Sequence, residues 1–216
     1  RGDAVLNAFS PALVQAPADW PERCAPLGFL HAHDDARLPA DLQRFLDAAD
    51  DVIYVGTGAG SALDASTLLS YAHEAALRLN LRAIVNVHGA GELPPAYRGR
   101  LRVAQDVPHA ALFPRMRAVA HHGGAGTTAE VARAGVPAMV MPVFADQFFW
   151  AERAHGAGVA PAPLPQRALG RAEFVAAASR AVYDARMRDC AAALAGRVRA
   201  EDGLARAVAV IEQHLS

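Results

Sequence analysis

The sequence has no lysine, few aromatic residues and only two cysteines. All 21 of its basic residues are arginine, and 22 acidic residues nearly balance them, so the formal net charge is −1. A chain this close to neutral lacks the basic surface that binds nucleic acid, and no such partner is expected. Cys24 and Cys190 lie far apart without metal-ligand spacing, so neither a disulfide framework nor a zinc site is predicted. No apolar run reaches the roughly 18 residues that would predict a transmembrane segment.

The overall composition is that of a folded domain. The chain has 216 residues, of which 53% are hydrophobic and 20% charged, and this length is enough to bury a core. Short apolar runs alternate with helical patterns, and the runs at 51–56, 82–88, 101–105, 117–122 and 137–142 are predicted to be strands. Apolar strands without alternation are typical of a sheet covered on both faces. The order of elements therefore predicts an α/β fold with a doubly wound parallel sheet.

The two ends of the chain have different patterns. Helical spacing is clear over 65–80, and the chain is helical in pattern from Arg171 to its end, with a break near Gly203. The first thirty residues are rich in proline and have no periodicity, which is typical of a linker. We therefore predict a linker over 1–30, leading into the start of the domain, and a folded domain over 31–216.

Glycine-rich turns follow three of the predicted strands, where ligands of open parallel sheets bind. They are Gly56–Ser61, Gly89–Gly91 and Gly123–Gly126. The third lies in HHGGAGTTAE, 121–130, which has little side-chain bulk and would let a ligand approach the backbone. Thr127 and Thr128 would open a helix with N–H groups and hydroxyls aimed at a phosphate, while alternation along the strand would point His121 away. A tight turn without a ligand is the alternative reading.

Two other kinds of site are less well supported. The stretch GTGAGS, 56–61, only partly matches the dinucleotide fingerprint, because Ser61 replaces its third glycine and Asn80–Arg82 stands where an acidic residue is required. Nicotinamide dinucleotide binding is therefore not favoured. A metal cluster of His31, His33, Asp34 and Asp35 has no fixed spacing to further ligands, so a solvated loop is favoured and no metal is expected.

Residues 106–164, which include DVPHAALFPRM, HHGGAGTTAEVARAGVP and MPVFADQFFW, resemble the donor-binding half of UDP-glycosyltransferases. The similarity is to the branch of sterol glucosyltransferase-like and antibiotic glycosyltransferases. Upstream, FSPALVQAPADWP, LGFL and VIYVGTGAGS resemble the interdomain linker and first strand of the same half, so nearly the whole chain is covered. The resemblance implies the Rossmann-like C-terminal half of a GT-B fold, in which two such domains face each other.

The resemblance, with the helix-start argument above, gives a set of donor-binding candidates. They are Ser61 in the first glycine turn, Val107 and His109 around uracil and ribose, His122, Ala125, Gly126, Thr127 and Thr128 at the pyrophosphate, Glu130 at the ribose, and Asp146 and Gln147 at the sugar hydroxyls. Asp146 could instead cap a helix, and His109 could be a surface residue. Asp106 stands where many members have a tryptophan that stacks on uracil. Phe148, Phe149 and Trp150 are interpreted as helix packing, with an acceptor platform as the alternative.

The function implied is that of an inverting glycosyltransferase. Such an enzyme would move a hexose, with glucose favoured, from UDP to a hydroxyl of a hydrophobic acceptor such as a sterol, lipid or secondary metabolite. A deoxysugar or rhamnose carried on dTDP, or a non-catalytic nucleotide-sugar-binding module, are the alternatives. The UDP-sugar is a co-substrate, and no cofactor is expected. The catalytic base belongs to the N-terminal domain, so we expect a C-terminal fragment, inactive alone, from an enzyme that is either free in the cytoplasm or peripheral at the membrane.

Overall fold

The computed structural model describes residues 5–31, 37–48, 51–58, 60–89 and 91–215. The opening Arg1–Asp3, Ala59 and three members of the suggested metal cluster, His33, Asp34 and Asp35, lie outside these residues. Within them, no group of histidine, cysteine and carboxylate side chains has the arrangement of a metal site. None of the described helices is both long enough and apolar enough to cross a membrane.

The described residues contain a five-stranded sheet, all of it parallel, in the order β3-β2-β1-β4-β5. The strands are β1 (Val52–Gly56), β2 (Arg82–Asn86), β3 (Leu101–Val103), β4 (Ala118–His121) and β5 (Ala138–Val140). Each lies within one of the predicted apolar runs. Buried side chains alternate between the two faces: Tyr54 and Val119 join one apolar cluster, and Val55 and Ala120 join the other. The predicted α/β fold with a doubly wound parallel sheet is therefore confirmed.

Helices cover both faces of the sheet. They are α1 (Ala40–Asp47), α2 (Ala65–Arg78), α3 (His109–Leu112), α4 (Ala125–Ala134), α5 (Gln147–Gly156), α6 (Arg171–Tyr183), α7 (Ala185–Arg199) and α8 (Gly203–Leu215). The helical spacing over 65–80 predicts α2 closely, and in the structure Asp64 caps its start, accepting the backbone N–H of Thr67 at 2.7 Å. The predicted break near Gly203 is the start of α8. Helix α1 was not predicted, since it is short.

The segment before residue 31 packs on the domain. Leu13 and Phe29 are buried in the same cluster as Tyr54. The hydroxyl of Ser10 donates to Oε1 of Glu201 at 2.7 Å, between α7 and α8. The described part of this segment contains only one short 3-10 turn, Glu22–Cys24, as the lack of periodicity indicates. Leu13 nevertheless lines an apolar hollow with residues of α4, α5 and α7, and Phe29 packs against Trp150 of α5, whereas Leu6, Trp20 and Leu30 are exposed.

Candidate functional site

A cleft of about 260 Å³ opens at the carboxyl ends of the strands. Strand order reverses between β1 and β4, which is where open parallel sheets bind their ligands. The cleft is lined by Tyr54, Gly56, Gly58, Asn86, His88, Gln105, Asp106, His109, His121, His122 and Thr127. A larger hollow of about 610 Å³ lies at the opposite edge, around the amino ends of β1 and β2, and none of the candidate residues lines it.

The start of α4 supplies backbone donors to the cleft. Gly124 occupies the position before the helix in an extended conformation, and no described side chain caps it. The N–H groups of Ala125, Gly126 and Thr127 precede the first intrahelical hydrogen bond, which runs from Thr128 to the carbonyl of Gly124 at 2.9 Å. A Cβ on Gly126 would meet no described atom within 4 Å. These free donors and the helix dipole make the start of α4 suited to an anion.

His122 lies against the backbone of two glycines. A Cβ on Gly58 would lie 3.0 Å from the Cε1 atom of His122, and a Cβ on Gly124 would lie 2.6 Å from its Nε2 atom. Any larger residue at these two positions would therefore displace the ring. Burial lowers the pKa of His122, and the nearby carboxylate of Asp146 opposes that shift only in part. The ring is thus neutral near pH 7 and offers one N–H donor at the cleft.

His121 is buried at the end of β4 and lines both the cleft and an apolar hollow that Leu13, Thr128 and Leu194 also line. Its Nδ1 atom accepts the backbone N–H of Gly123 at 3.2 Å, which places the proton of the neutral ring on Nε2. Among the described residues, Nε2 has no hydrogen-bond partner. Burial lowers the pKa of His121 to about 3. That His121 points away from a bound ligand stays a prediction.

Tyr54 and His109 form a pair on the floor of the cleft. The hydroxyl of Tyr54 lies 3.2 Å from Nε2 of His109, whose ring stacks on Phe113 with centroids 4.3 Å apart. Burial raises the pKa of Tyr54, opposed by a hydrogen bond with Asn86, and burial lowers the pKa of His109. Both side chains are therefore uncharged near pH 7. His109 lies in the cleft as predicted and is not a surface histidine.

The comparison with known sequences decides the class of protein. Residues 86–211 match the family model described as erythromycin biosynthesis protein CIII-like, C-terminal domain. The match covers more than half of the chain and includes the whole loop from β4 into α4. The chain belongs to this family. Its resemblance to the C-terminal half of UDP-glycosyltransferases is therefore confirmed.

Two glycosyltransferases are similar in sequence to nearly the whole of this chain. A sterol 3-beta-glucosyltransferase of Arabidopsis thaliana is 37% identical over 213 residues, covering 96% of this chain and 33% of the plant protein. An O-mycaminosyltylonolide 6-deoxyallosyltransferase of Streptomyces fradiae is 34% identical over 210 residues, covering 96% of this chain and 49% of that protein. The chain thus spans half or less of the length of these relatives.

A solved structure shows the same fold. A spinosyn rhamnosyltransferase complexed with thymidine diphosphate superposes with a TM-score of 0.74 at 25% identity, covering 98% of this chain and 57% of that protein. The agreement over nearly the whole chain confirms the Rossmann-like domain of the GT-B glycosyltransferases as the fold class.

Several predicted donor-binding residues form hydrogen bonds within the domain instead of facing the cleft. Both the N–H and the hydroxyl of Thr128 donate to the carbonyl of Gly124, the hydroxyl at 3.0 Å, so the prediction that this hydroxyl faces a phosphate is wrong. The hydroxyl of Ser61 shares its proton between the carbonyl of Leu63 at 2.8 Å and Oε1 of Gln166 at 3.0 Å. Ser61 is outside the cleft lining, and its observed role is to hold the loop after β1.

Val107 and Gln147 are likewise buried. Val107 lies in the apolar cluster beneath the cleft, next to Asp106, which does line it. Oε1 of Gln147 accepts the backbone N–H of Val143 at 2.8 Å and that of Phe144 at 3.4 Å, so it fixes the turn that precedes α5. Because that oxygen is engaged, only the amide NH₂ of Gln147 remains to donate to a ligand.

Asp146 and Glu130 present carboxylates near the start of α5 and on α4. Asp146 stands at the cap position of α5, but its described contacts include no capping hydrogen bond, and its Oδ2 instead accepts the indole N–H of Trp150 at 3.1 Å. The helix-cap alternative is therefore not supported. Oε1 of Glu130 lies 2.9 Å from Nδ1 of His31. Trp150 is packed as interpreted, and Phe149, though half exposed, meets the ring of Trp150 edge-on at 5.2 Å within α5. Phe148 is exposed, so helix packing does not explain it.

The residues that sequence reasoning missed are Tyr54, Asn86, His88 and Gln105. Tyr54 lies within an apolar strand, where a tyrosine is typical of the core. Asn86 ends β2 and His88 follows two residues later, and their place at the carboxyl end of the predicted strand 82–88 was the one signal available. Gln105 follows β3 in the same way. Only strand order brings these four side chains next to the loop at His122.

Proposed function

We propose that the chain is the donor-binding domain of an inverting glycosyltransferase, with UDP-glucose as the donor. The observation that carries this proposal is the uncapped start of α4, which opens into a cleft beside the neutral ring of His122. A diphosphate in the cleft would accept the N–H groups of Gly126 and Thr127 together with one N–H from His122. Negative charge develops on that diphosphate as the sugar leaves, and fixed donors aimed at it stabilise the transition state.

The proposed reaction is an in-line displacement at the anomeric carbon. An acceptor hydroxyl forms the new C–O bond while the bond to the diphosphate oxygen breaks, and the hydroxyl proton passes to a general base. That base is proposed to lie on the N-terminal domain of the enzyme, so the catalytic residue is not assigned in this chain. The diphosphate leaves with both bonding electrons onto the donors at α4, and the step needs no cofactor.

The remaining parts of the donor are assigned by position. The nucleobase and ribose of the donor are proposed to lie between Asp106 and His109. The hydroxyl of Tyr54, 3.2 Å from Nε2 of His109, holds that imidazole in place. Glu130, one helical turn after Thr127 on the same face of α4, is proposed to accept the ribose hydroxyls. Asp146 is proposed to accept the sugar hydroxyls, since its carboxylate is exposed and near enough to His122 to influence its pKa.

The acceptor is proposed to be a hydrophobic molecule bearing a hydroxyl group. The names of the relatives support this class, because they include sterol glucosyltransferases and an O-mycaminosyltylonolide 6-deoxyallosyltransferase. The N-terminal domain of the same enzyme is the proposed partner, with residues 1–30 as the linker to it. Helix α8 offers a surface for it, since Leu204, Val208 and Ile211 are each about half exposed along one face.

A dTDP-linked deoxysugar is the second candidate donor. The structural neighbour complexed with thymidine diphosphate favours it, and Asp106 provides no aromatic face that would select uracil. Calorimetry with UDP, dTDP, UDP-glucose and NAD, with and without EDTA, separates the candidates. Tighter binding of UDP-glucose than of UDP supports the first, preference for dTDP supports the second, and binding of NAD alone would refute both.

A further inference from the structure

The segment 27–31 touches residues that support both donor carboxylates. His31 ends this segment, and its Nδ1 atom lies 2.9 Å from Oε1 of Glu130 on α4. The two side chains are only 14% and 25% exposed, so water competes little for the contact. The hydrogen bond from His31 lowers the pKa of Glu130, against the effect of burial, and the carboxyl group is ionised near pH 7. With Oε1 held by His31, Oε2 keeps a fixed direction in which it can accept a ribose hydroxyl.

The same segment reaches the second carboxylate through two aromatic rings. Phe29 and Trp150 are 5% and 7% exposed, and their ring centroids lie 6.2 Å apart. The indole N–H of Trp150 donates to Oδ2 of Asp146 at 3.1 Å. Asp146 itself is exposed. Among the described contacts, the hydrogen bond from Trp150 is the one that orients its carboxylate. Phe29 also meets the ring of His31 edge-on at 6.1 Å, so it joins the two arms.

The segment is also held by residues outside α4 and α5. The backbone N–H of Leu27 donates to the carbonyl of Asn7 at 2.9 Å, and that of Gly28 donates to the carbonyl of Phe9 at 3.2 Å, both within the same N-terminal stretch. The guanidinium of Arg206 on α8 donates to the carbonyl of Leu27 at 3.4 Å, which ties the segment to the domain. Phe29 lies in the apolar cluster that α4 and α5 help to form. The backbone of the segment is therefore held by contacts that do not involve the two helices its side chains touch.

We infer that segment 27–31 positions both donor carboxylates, His31 holding Glu130 for the ribose and Phe29 holding Trp150, and so Asp146, for the sugar. This inference rests on the proposed function, because it takes Glu130 and Asp146 as donor contacts. His31, Phe29 and Trp150 are positioning residues that do not touch the donor. One segment then sets the distance between ribose and sugar recognition, and a shift of 27–31 would impair both.

The ribose arm is tested by calorimetry with UDP and 2′,3′-dideoxy-UDP on the full chain. His31→Ala should weaken UDP about tenfold, the effect of losing one hydrogen bond to a charged group. It should change 2′,3′-dideoxy-UDP by less than about twofold, because that ligand lacks the hydroxyls that Glu130 would bind. His31→Asn, whose amide N–H can replace Nδ1–H, should restore UDP binding. Equal losses for both ligands would mean a merely structural role and would overturn this arm.

The sugar arm is tested with UDP-glucose against UDP. Trp150→Phe removes the indole N–H but keeps an aromatic ring against Phe29, so the fold should survive, as a melting curve would show. Trp150→Phe should lower the affinity for UDP-glucose about tenfold and leave the affinity for UDP unchanged. Phe29→Leu, which loosens both arms, should reduce UDP-glucose binding more than either single-arm variant. An unchanged preference for UDP-glucose over UDP in Trp150→Phe would overturn the sugar arm.

The control variants are Glu130→Gln and Asp146→Asn, which alter the carboxylates directly. If these show the ligand-specific losses and His31→Ala and Trp150→Phe do not, the positioning inference fails while the proposed function stands. If the unaltered chain binds neither UDP nor dTDP, the proposed function fails and the inference falls with it.

Discussion

Nδ1 of His121 accepts the backbone N–H of Gly123 at 3.2 Å, across the bend that joins β4 to α4. Gly123 has φ of +92°, and a Cβ there would lie 2.8 Å from the carbonyl oxygen of Gln147. The buried histidine and the glycine thus close the bend together. The low side-chain bulk of residues 121–130 therefore has three causes: Gly123 forms the bend, Gly124 makes room for the ring of His122, and Gly126 leaves space at the helix start.

The stability of the domain should depend on pH through His121. Its pKa is about 3 in the folded state, against about 6.5 when unfolded, so the folded state resists protonation. The stabilisation is complete above pH 6.5 and is lost as pH falls toward 3, by about 1.4 kcal/mol per pH unit. Urea denaturation of the unaltered chain and of His121→Asn, which keeps an acceptor for Gly123, should show this slope in their difference between about pH 6 and pH 4. A pH-independent difference would contradict the assignment.

Replacing Gly123 or Gly126 by alanine should change the stability of the domain in opposite directions. Gly123→Ala should lower the free energy of unfolding by about 1–3 kcal/mol for its positive φ alone, and by more because of the contact with Gln147. Gly126→Ala should keep or slightly raise stability, because it meets open space in a helix. Gly126→Ala should nevertheless weaken the binding of UDP, and Gly126→Val should weaken that binding further. Denaturation curves and calorimetry on all three variants check this, and unimpaired UDP binding by Gly126→Val would refute a diphosphate at this helix start.

Replacing His122 should weaken the nucleotide while the fold survives. The loss of one hydrogen bond to a charged group costs about 1.5–3 kcal/mol, which is about a ten- to hundredfold change in affinity. His122→Ala should therefore weaken UDP by that factor in calorimetry. His73→Ala is the matched control, since His73 stacks on Tyr97 with ring centroids 4.0 Å apart and is outside the cleft lining. A comparable loss in the control would show that the effect is not local.

Replacing Asp146 should separate sugar binding from nucleotide binding. Asp146→Ala should weaken UDP-glucose about tenfold and leave UDP nearly unchanged, because the carboxylate is proposed to accept sugar hydroxyls alone. Competition between UDP-glucose and UDP in one titration measures the ratio directly. Equal weakening of the two ligands would indicate that Asp146 acts on the turn before α5 and not on the sugar.

Local patterns were sufficient for most of the fold. The run VIYVG is apolar throughout, which only a strand covered on both faces requires, and it is β1. The apolar spacing over 65–80 predicts α2 because amphipathic periodicity is a property of neighbouring residues. Helix α1 was not predicted, although Leu42 and Leu46, one turn apart, are both buried. The packing of Phe29 depends on distant helices, since it shares an apolar cluster with Ala129 and Trp150, and no residue near it along the chain signals that contact.

The sequence by itself determined the family and the parallel sheet, and it predicts a phosphate site at the start of α4, because each depends on residues that are close along the chain. His122, Gly126 and Thr127 follow one strand directly, so spacing is enough to predict that they share one site. Only the tertiary structure decided which other side chains join them. Strand order brings Tyr54 and Asn86 to the cleft, and packing directs Thr128 and Ser61 into internal hydrogen bonds, because a side chain's partner depends on which strand and loop lie beside it in space.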